Sequence, residues 1–155
     1  MRNSNEIDIA QKLIRCKSTY PNDDGALKVV EKECKAMGFK CTKLRFAQKG
    51  YNSISNLYAE IGNGKPHFSF AGHVDVVPAN KKQWAVDPFA GKIKNNSLIG
   101  RGAVDMKSAI ACFLSAANIF LNENKYFNGK ISLMITNDEE SYAILGTRKI
   151  LQWLK

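Results

Sequence analysis

Five residues in this sequence have side chains and spacing suited to metal-assisted chemistry: His73, Asp75, Asp105, Glu139 and Glu140. His73-Val74-Asp75 closes an apolar segment, residues 67–74. Side chains two apart on a strand share a face, so Asp75 can hydrogen-bond one imidazole nitrogen and leave the other free for a metal ion. The plainer alternative is a core or turn histidine beside a solvated aspartate. Asp105 lies in Gly100-Arg101-Gly102-Ala103-Val104-Asp105-Met106-Lys107, where a loop enters an apolar helix. It suits an N-cap there, and it equally suits a rigid carboxylate whose two oxygens each reach one of two metal ions. Asp138-Glu139-Glu140 follows the apolar residues 130–136. Adjacent acids repel, and either a helix N-terminus or a bound cation offsets the cost. In the second case one glutamate holds the metal. Its neighbour takes a proton from a water whose pKa the ion lowers toward ~7.

Other chemistries find less support. Neither a Gly-x-Ser-x-Gly elbow nor a phosphate-cradling Gly-x-x-x-x-Gly-Lys-Ser/Thr occurs. Gly62-Asn63-Gly64 lacks the third glycine and following helix of a dinucleotide site. Cys16, Cys34, Cys41 and Cys112 are scattered without the close pairs of a zinc knuckle, which reads as reduced, mostly buried thiols. His67 beside Pro66 reads as structural or exposed. The net charge of +9 draws attention to nucleic acid. However, the lysines are spread along the chain with no basic-aromatic stripe, which reads as a solvated surface and no nucleic-acid partner. The longest apolar stretch, residues 109–120, falls short of the ~20 that a membrane helix needs. The first sixteen residues lack a signal peptide's apolar run. These features lead us to expect a cytoplasmic protein without a membrane partner.

The elements that must position these residues alternate. Apolar periodicity predicts helices over residues 4–17 and 24–37, the second capped by Asp23 or Asp24 and ended by Gly38. Strands are expected at 40–46, 55–61 and 67–74, with a hairpin turn at Gly62-Asn63-Gly64 between the last two and residues 67–74 central. A small hairpin over 92–99 turns at Asn95-Asn96. A buried helix spans 106–122, a strand 130–136 and a last helix 141–154. The pattern predicts an α/β layered mixed sheet flanked by helices, with the candidate residues at the carboxyl ends of its strands.

The blocks Ala71-Gly72-His73-Val74-Asp75-Val76-Val77-Pro78, Trp84 with Asp87-Pro88-Phe89, residues 100–107 and Thr136-Asn137-Asp138-Glu139-Glu140 resemble, in this order and spacing, the zinc-dependent family of aminoacylases, deacetylases and carboxypeptidases. The segments 19–26 and 55–62 look most like its desuccinylase branch, and acetylornithine deacetylases carry nearly the same blocks. The resemblance implies a zinc-peptidase-like catalytic domain and two zinc ions, with cobalt or manganese as substitutes. It implies His73 as ligand of one ion, Asp75 as the acid orienting it, Asp105 as bridging carboxylate, Glu139 as general base and Glu140 as ligand of the second ion. The implied reaction is hydrolysis of a small N-acyl amino acid, N-succinyl-diaminopimelate, to succinate and diaminopimelate in bacterial lysine and cell-wall synthesis. Family enzymes are far longer than this chain. Residues 1–155 are therefore expected to be the front, incomplete part of the catalytic domain. A further acidic ligand, the last histidine ligand and the dimerisation domain of a homodimer are expected beyond it. Such a piece alone is expected to be weakly active or inactive, and a non-catalytic remnant is the alternative. Family members usually have glycine after the paired glutamates, where this chain has Ser141; if a positive φ is required there, serine costs roughly 1 kcal/mol or more.

Overall fold

Asn5 starts the first helix by accepting the Ile7 N–H on its side-chain oxygen at 2.6 Å. The structure, a computed structural model, describes residues 5–155, so the expected helix start at residue 4 lies outside the described residues. Helix α1 (Glu6–Arg15) buries Ile9, Ala10, Leu13 and Ile14 on one stripe. Helix α2 (Ala26–Ala36) follows Gly25. Of the two proposed capping acids, Asp23 acts, accepting the Leu27 N–H at 3.2 Å. Gly38, at φ 90°, turns the chain out of the helix as expected.

Strands β1 (Lys40–Phe46), β2 (Ile54–Asn63), β3 (His67–His73) and β6 (Gly129–Thr136) form one mixed sheet in the order β1-β2-β6-β3. A separate hairpin joins β4 (Lys92–Lys94) to β5 (Ser97–Ile99) through Asn95 and Asn96, both left-handed. Alternation decides the two faces of the main sheet. Leu57, Ala59, Leu133 and Ile135 pack with α1, α2 and helix α3 (Ser108–Glu123). Leu44, Tyr58 and Met134 face the other way, onto Ile150 of helix α4 (Thr147–Trp153). Helices therefore cover both faces, as the alternation of strands and helices implied.

Four expectations are corrected. Gly62-Asn63-Gly64 turns the chain but makes no hairpin, because β6 enters between β2 and β3, antiparallel to the first and parallel to the second. For the same reason β3 is not central: among the described residues its only strand partner is β6. The last helix begins at Thr147 rather than 141, since the preceding backbone is held by side-chain bonds described below. The apolar segment Ala103–Glu123 spans 21 residues, long enough to cross a membrane. It is broken at Asp105 and Met106, whose backbones are non-helical, and the expected buried helix starts at Ser108 and is buried on one face only: Ile110, Ala111, Leu114 and Ala117 enter the core, while Ile119 and Phe120 are exposed.

Leu133, fully buried at the middle of β6, sets the expected stability contrast. Leu133→Ala lowers the unfolding free energy by about 2–5 kcal/mol. Val104→Ala, at a position 96% exposed, changes it by less than about 0.5 kcal/mol. Urea unfolding of both variants checks this.

Candidate metal centre

Parallel pairing of β3 with β6 sets the site. His73 lies opposite Thr136, so both strands end at one level and both chains leave the sheet on the same side. Val74 N–H continues the pairing to the Thr136 carbonyl at 2.9 Å. The loop carrying Asp75 and the loop carrying Glu139 and Glu140 are thereby neighbours.

Asp75 is wholly buried. Its Oδ2 accepts the backbone N–H groups of Glu139 at 2.9 Å and Glu140 at 2.8 Å. Its Oδ1 has no hydrogen-bond partner among the described residues and lies 3.6 Å from Nδ1 of His73. That same nitrogen lies 3.1 Å from the Asp75 carbonyl oxygen. With its Nδ1 side held by Asp75, the imidazole turns Nε2 outward, 3.0 Å from Asp105 Oδ1 and 3.7 Å from Glu139 Oε2. Burial works against a charge on this ring, but the carboxylates of Asp75 and Asp105 outweigh it and push the His73 pKa up to about 9. Glu140 is also shifted upward, chiefly by burial and further by the neighbouring acids Asp105, Glu139 and Asp75, with His73 opposing.

Asp105 does not cap α3. Its backbone is extended (φ −125°, ψ 103°), the Asp105–Met106 peptide is cis, and the helix begins only at Ser108. The extended turn directs the carboxylate toward His73 instead of the helix amides. Gly102 makes this turn possible. It is left-handed at φ 82°, and a Cβ there would stand 2.6 Å from Val76 Cγ1. Behind the turn, Lys107 is completely buried, donating from Nζ to the Cys16 carbonyl at 2.8 Å, and burial lowers its pKa to about 8. Ser18, two residues on, donates its hydroxyl to the Val74 carbonyl at 2.5 Å and accepts the Val76 N–H at 2.9 Å.

His73, Asp105 and Glu140 each bring one ligand atom to within 4.8 Å of the others. One imidazole nitrogen and two carboxylate oxygens are the donors that zinc and other divalent ions take. The carboxylate beside the opposite imidazole nitrogen matches the way ligating histidines are oriented. The residues present thus fit a divalent metal. Glu139 stands at the rim, its side chain 57% exposed. The Ser141 backbone is not left-handed; the positive φ of this loop falls at Ala143 (53°). The Trp84 block stays outside the group of ligand atoms. Arg101 lies over the Trp84 ring at 5.4 Å and Asp87 pairs with Lys81 at 2.8 Å, so these residues organise the long loop before α3. His67 is exposed and bonds to Ser132 at 2.8 Å, the structural role expected of it.

Sequence reasoning missed Lys107 and gave Asp138 no task. A lysine inside an apolar helix start was the available signal for the first, and the third acid directly after a buried strand for the second. Asp138 is 2% exposed and accepts the Ile144 and Leu145 N–H groups at 2.9 and 2.7 Å, which keeps residues 139–145 out of helix.

A model of peptidase family M20/M25/M40 matches residues 69–155. The succinyl-diaminopimelate desuccinylase of Parvibaculum lavamentivorans is 53% identical over 149 residues, covering 96% of this chain and 37% of that protein. The enzyme of that name from Pelagibacter ubique is 51% identical over 152 residues, covering 97% and 40%. Among solved structures, human carnosine dipeptidase 1 superposes with a TM-score of 0.80 at 20% identity, covering 96% of this chain and 34% of that one. An M20 family metallo-carboxypeptidase from Sulfolobus solfataricus gives 0.69 at 25% identity, covering 87% and 31%. The chain thus spans about two fifths of the length of these two curated relatives.

Removing the Asp75 carboxylate leaves two amide groups without their acceptor. Asp75→Ala is expected to destabilise the fold by about 2–6 kcal/mol, at about 1–3 kcal/mol for each of the two unsatisfied groups. Thermal and urea unfolding measure it. A loss below 1 kcal/mol, roughly the value of one ordinary hydrogen bond, contradicts the assignment.

Proposed function

Because the chain belongs to peptidase family M20/M25/M40, we propose that it supplies the front, metal-binding part of a hydrolase that cleaves N-acyl amides. One observation carries the reading: the ligand atoms of His73, Asp105 and Glu140 converge while Asp75 holds the far side of the imidazole. The substrate that the relatives' names favour is N-succinyl-diaminopimelate, giving succinate and diaminopimelate. On this reading residues 1–155 are one part of the catalytic unit, and the remaining ligands and the dimerisation region of a homodimer belong to the part of the relatives' length that this chain does not span. The setting is the bacterial cytoplasm and the synthesis of lysine and cell wall, with a small molecule rather than nucleic acid or membrane as partner.

A divalent ion, zinc in the first place, supplies Lewis acidity to the amide carbonyl and to the attacking water when bound. The protein residues divide the remaining tasks. His73 binds through Nε2, with Asp75 fixing its ring. The Asp105 carboxylate would be shared between that ion and a second one, which Glu140 would hold. Glu139, unligated and exposed, accepts a proton from the attacking water on Oε2 and delivers it to the departing amine nitrogen. Adjacent glutamates can carry different tasks because the Glu140 carboxylate joins the ligand group of His73 and Asp105 while Glu139 stands at its rim, with Oε2 3.7 Å from His73 Nε2.

The test separates these tasks in the purified chain. Zinc affinity, measured by competition with a chromophoric chelator, is expected to fall about 10–100-fold or more in Glu140→Gln and to hold in Glu139→Gln. With N-succinyl-diaminopimelate and zinc, the turnover of the chain is expected to lie far below the usual ~1–10³ per second. Glu139→Gln removes what turnover there is, by about 10²–10⁴-fold. Zinc binding indifferent to Glu140, or turnover indifferent to Glu139, contradicts the proposal.

A further inference from the structure

Neither helix nor strand holds the segment that carries the two glutamates. Residues 137–146 run irregularly between β6 and α4, with Ser141 and Tyr142 exposed. Such a segment keeps two side chains in register with a metal site only if its backbone is tied at both ends, since small displacements of catalytic groups are costly. Two buried carboxylates supply the ties. Asp75 takes the N–H groups of Glu139 and Glu140 at the start. Asp138 takes those of Ile144 and Leu145 at the end, and the Leu145 carbonyl in turn accepts from Asn56 of β2 at 3.0 Å. Between the ties the Tyr142 ring stands edge-on to Tyr20 and Tyr51, with centroids 5.7 and 5.1 Å away.

Resting on the metal-site reading above, we infer that Asp138 is a positioning residue: by closing residues 139–145 into a loop tied to the sheet, it holds Glu140 within reach of His73 and Asp105. An ionised acceptor makes bonds roughly twice as strong as a neutral one, and a buried location strengthens them further. Shape alone does not call for the charge. Oδ2 receives both N–H bonds, and Oδ1 has no partner among the described residues, so an asparagine could present the same acceptor. An aspartate that served only the entry to α4 would affect Ile144 and Leu145 and nothing beyond them. A positioning aspartate also affects the other end of the loop.

The experiment uses the whole chain, with Asp138→Ala and Asp138→Asn, in two measurements. Amide hydrogen exchange without metal is expected to accelerate in Asp138→Ala at Glu139 and Glu140 as well as at Ile144 and Leu145. Cobalt(II) titration, followed by its visible absorption at a temperature where circular dichroism shows both variants folded, is expected to give about a 10–100-fold loss of affinity in Asp138→Ala. A smaller loss is expected in Asp138→Asn. Faster exchange confined to Ile144 and Leu145, with cobalt affinity unchanged, overturns the inference. If Asp138→Ala does not fold, Asp138→Asn decides by the same two readouts. Glu140→Gln is titrated alongside. If it costs no cobalt affinity, the metal reading fails, while exchange at Glu139 and Glu140, measured without metal, still decides the role of Asp138.

Discussion

A carboxylate removed from water is among the costliest groups a protein can bury, and Asp75, with no exposed surface, is held by what surrounds it. One oxygen carries two backbone N–H bonds from the loop after β6 and the other faces the His73 ring. The same carboxylate therefore joins the ends of two strands and orients the imidazole between them. Charge-assisted bonds of this kind are short and strong, and they tie the position of Glu139 and Glu140 to that of His73. Moving β6 away from β3 would take both N–H donors away from the buried Asp75 Oδ2.

That dependence explains the sheet order. Had β2 and β3 paired as a hairpin, the strand leading to the glutamates would have left the sheet elsewhere. With β6 inserted between them and parallel to β3, the two loops emerge together. The third contributor, Asp105, comes from a different layer, the turn ahead of α3. Lys107 and Ser18 lock that turn and the Val74–Val76 backbone to the segment after α1 through buried polar contacts. The site is thus assembled from four separate stretches of chain whose contacts are all long-range.

The legibility of these features in the sequence follows from how local their causes are. Strand β1 and the Asn95-Asn96 hairpin were readable because alternation and left-handed asparagines act within a few residues. The five chemical residues were readable by type and by their place after apolar segments. The pairing of β6 between β2 and β3 left no local mark, since Gly62 and Gly64 bend the chain equally well for a hairpin or for a departure. Residues 141–146 carry a helix-compatible pattern that Asp138 overrides by capturing the Ile144 and Leu145 amides. Asp105 looked equally suited to a cap and to a ligand, and only the extended backbone at Asp105 and Met106 distinguishes the two.

The central claim is that His73, Asp105 and Glu140 hold divalent metal. The most direct test is a crystal of the zinc-loaded chain measured on both sides of the zinc absorption edge, which locates the metal independently of any assay. The account predicts anomalous density whose ligands, about 2.0–2.2 Å away, include His73 Nε2 and carboxylate oxygens of Asp105 and Glu140. A peak on other residues, or none at saturating zinc, would contradict it.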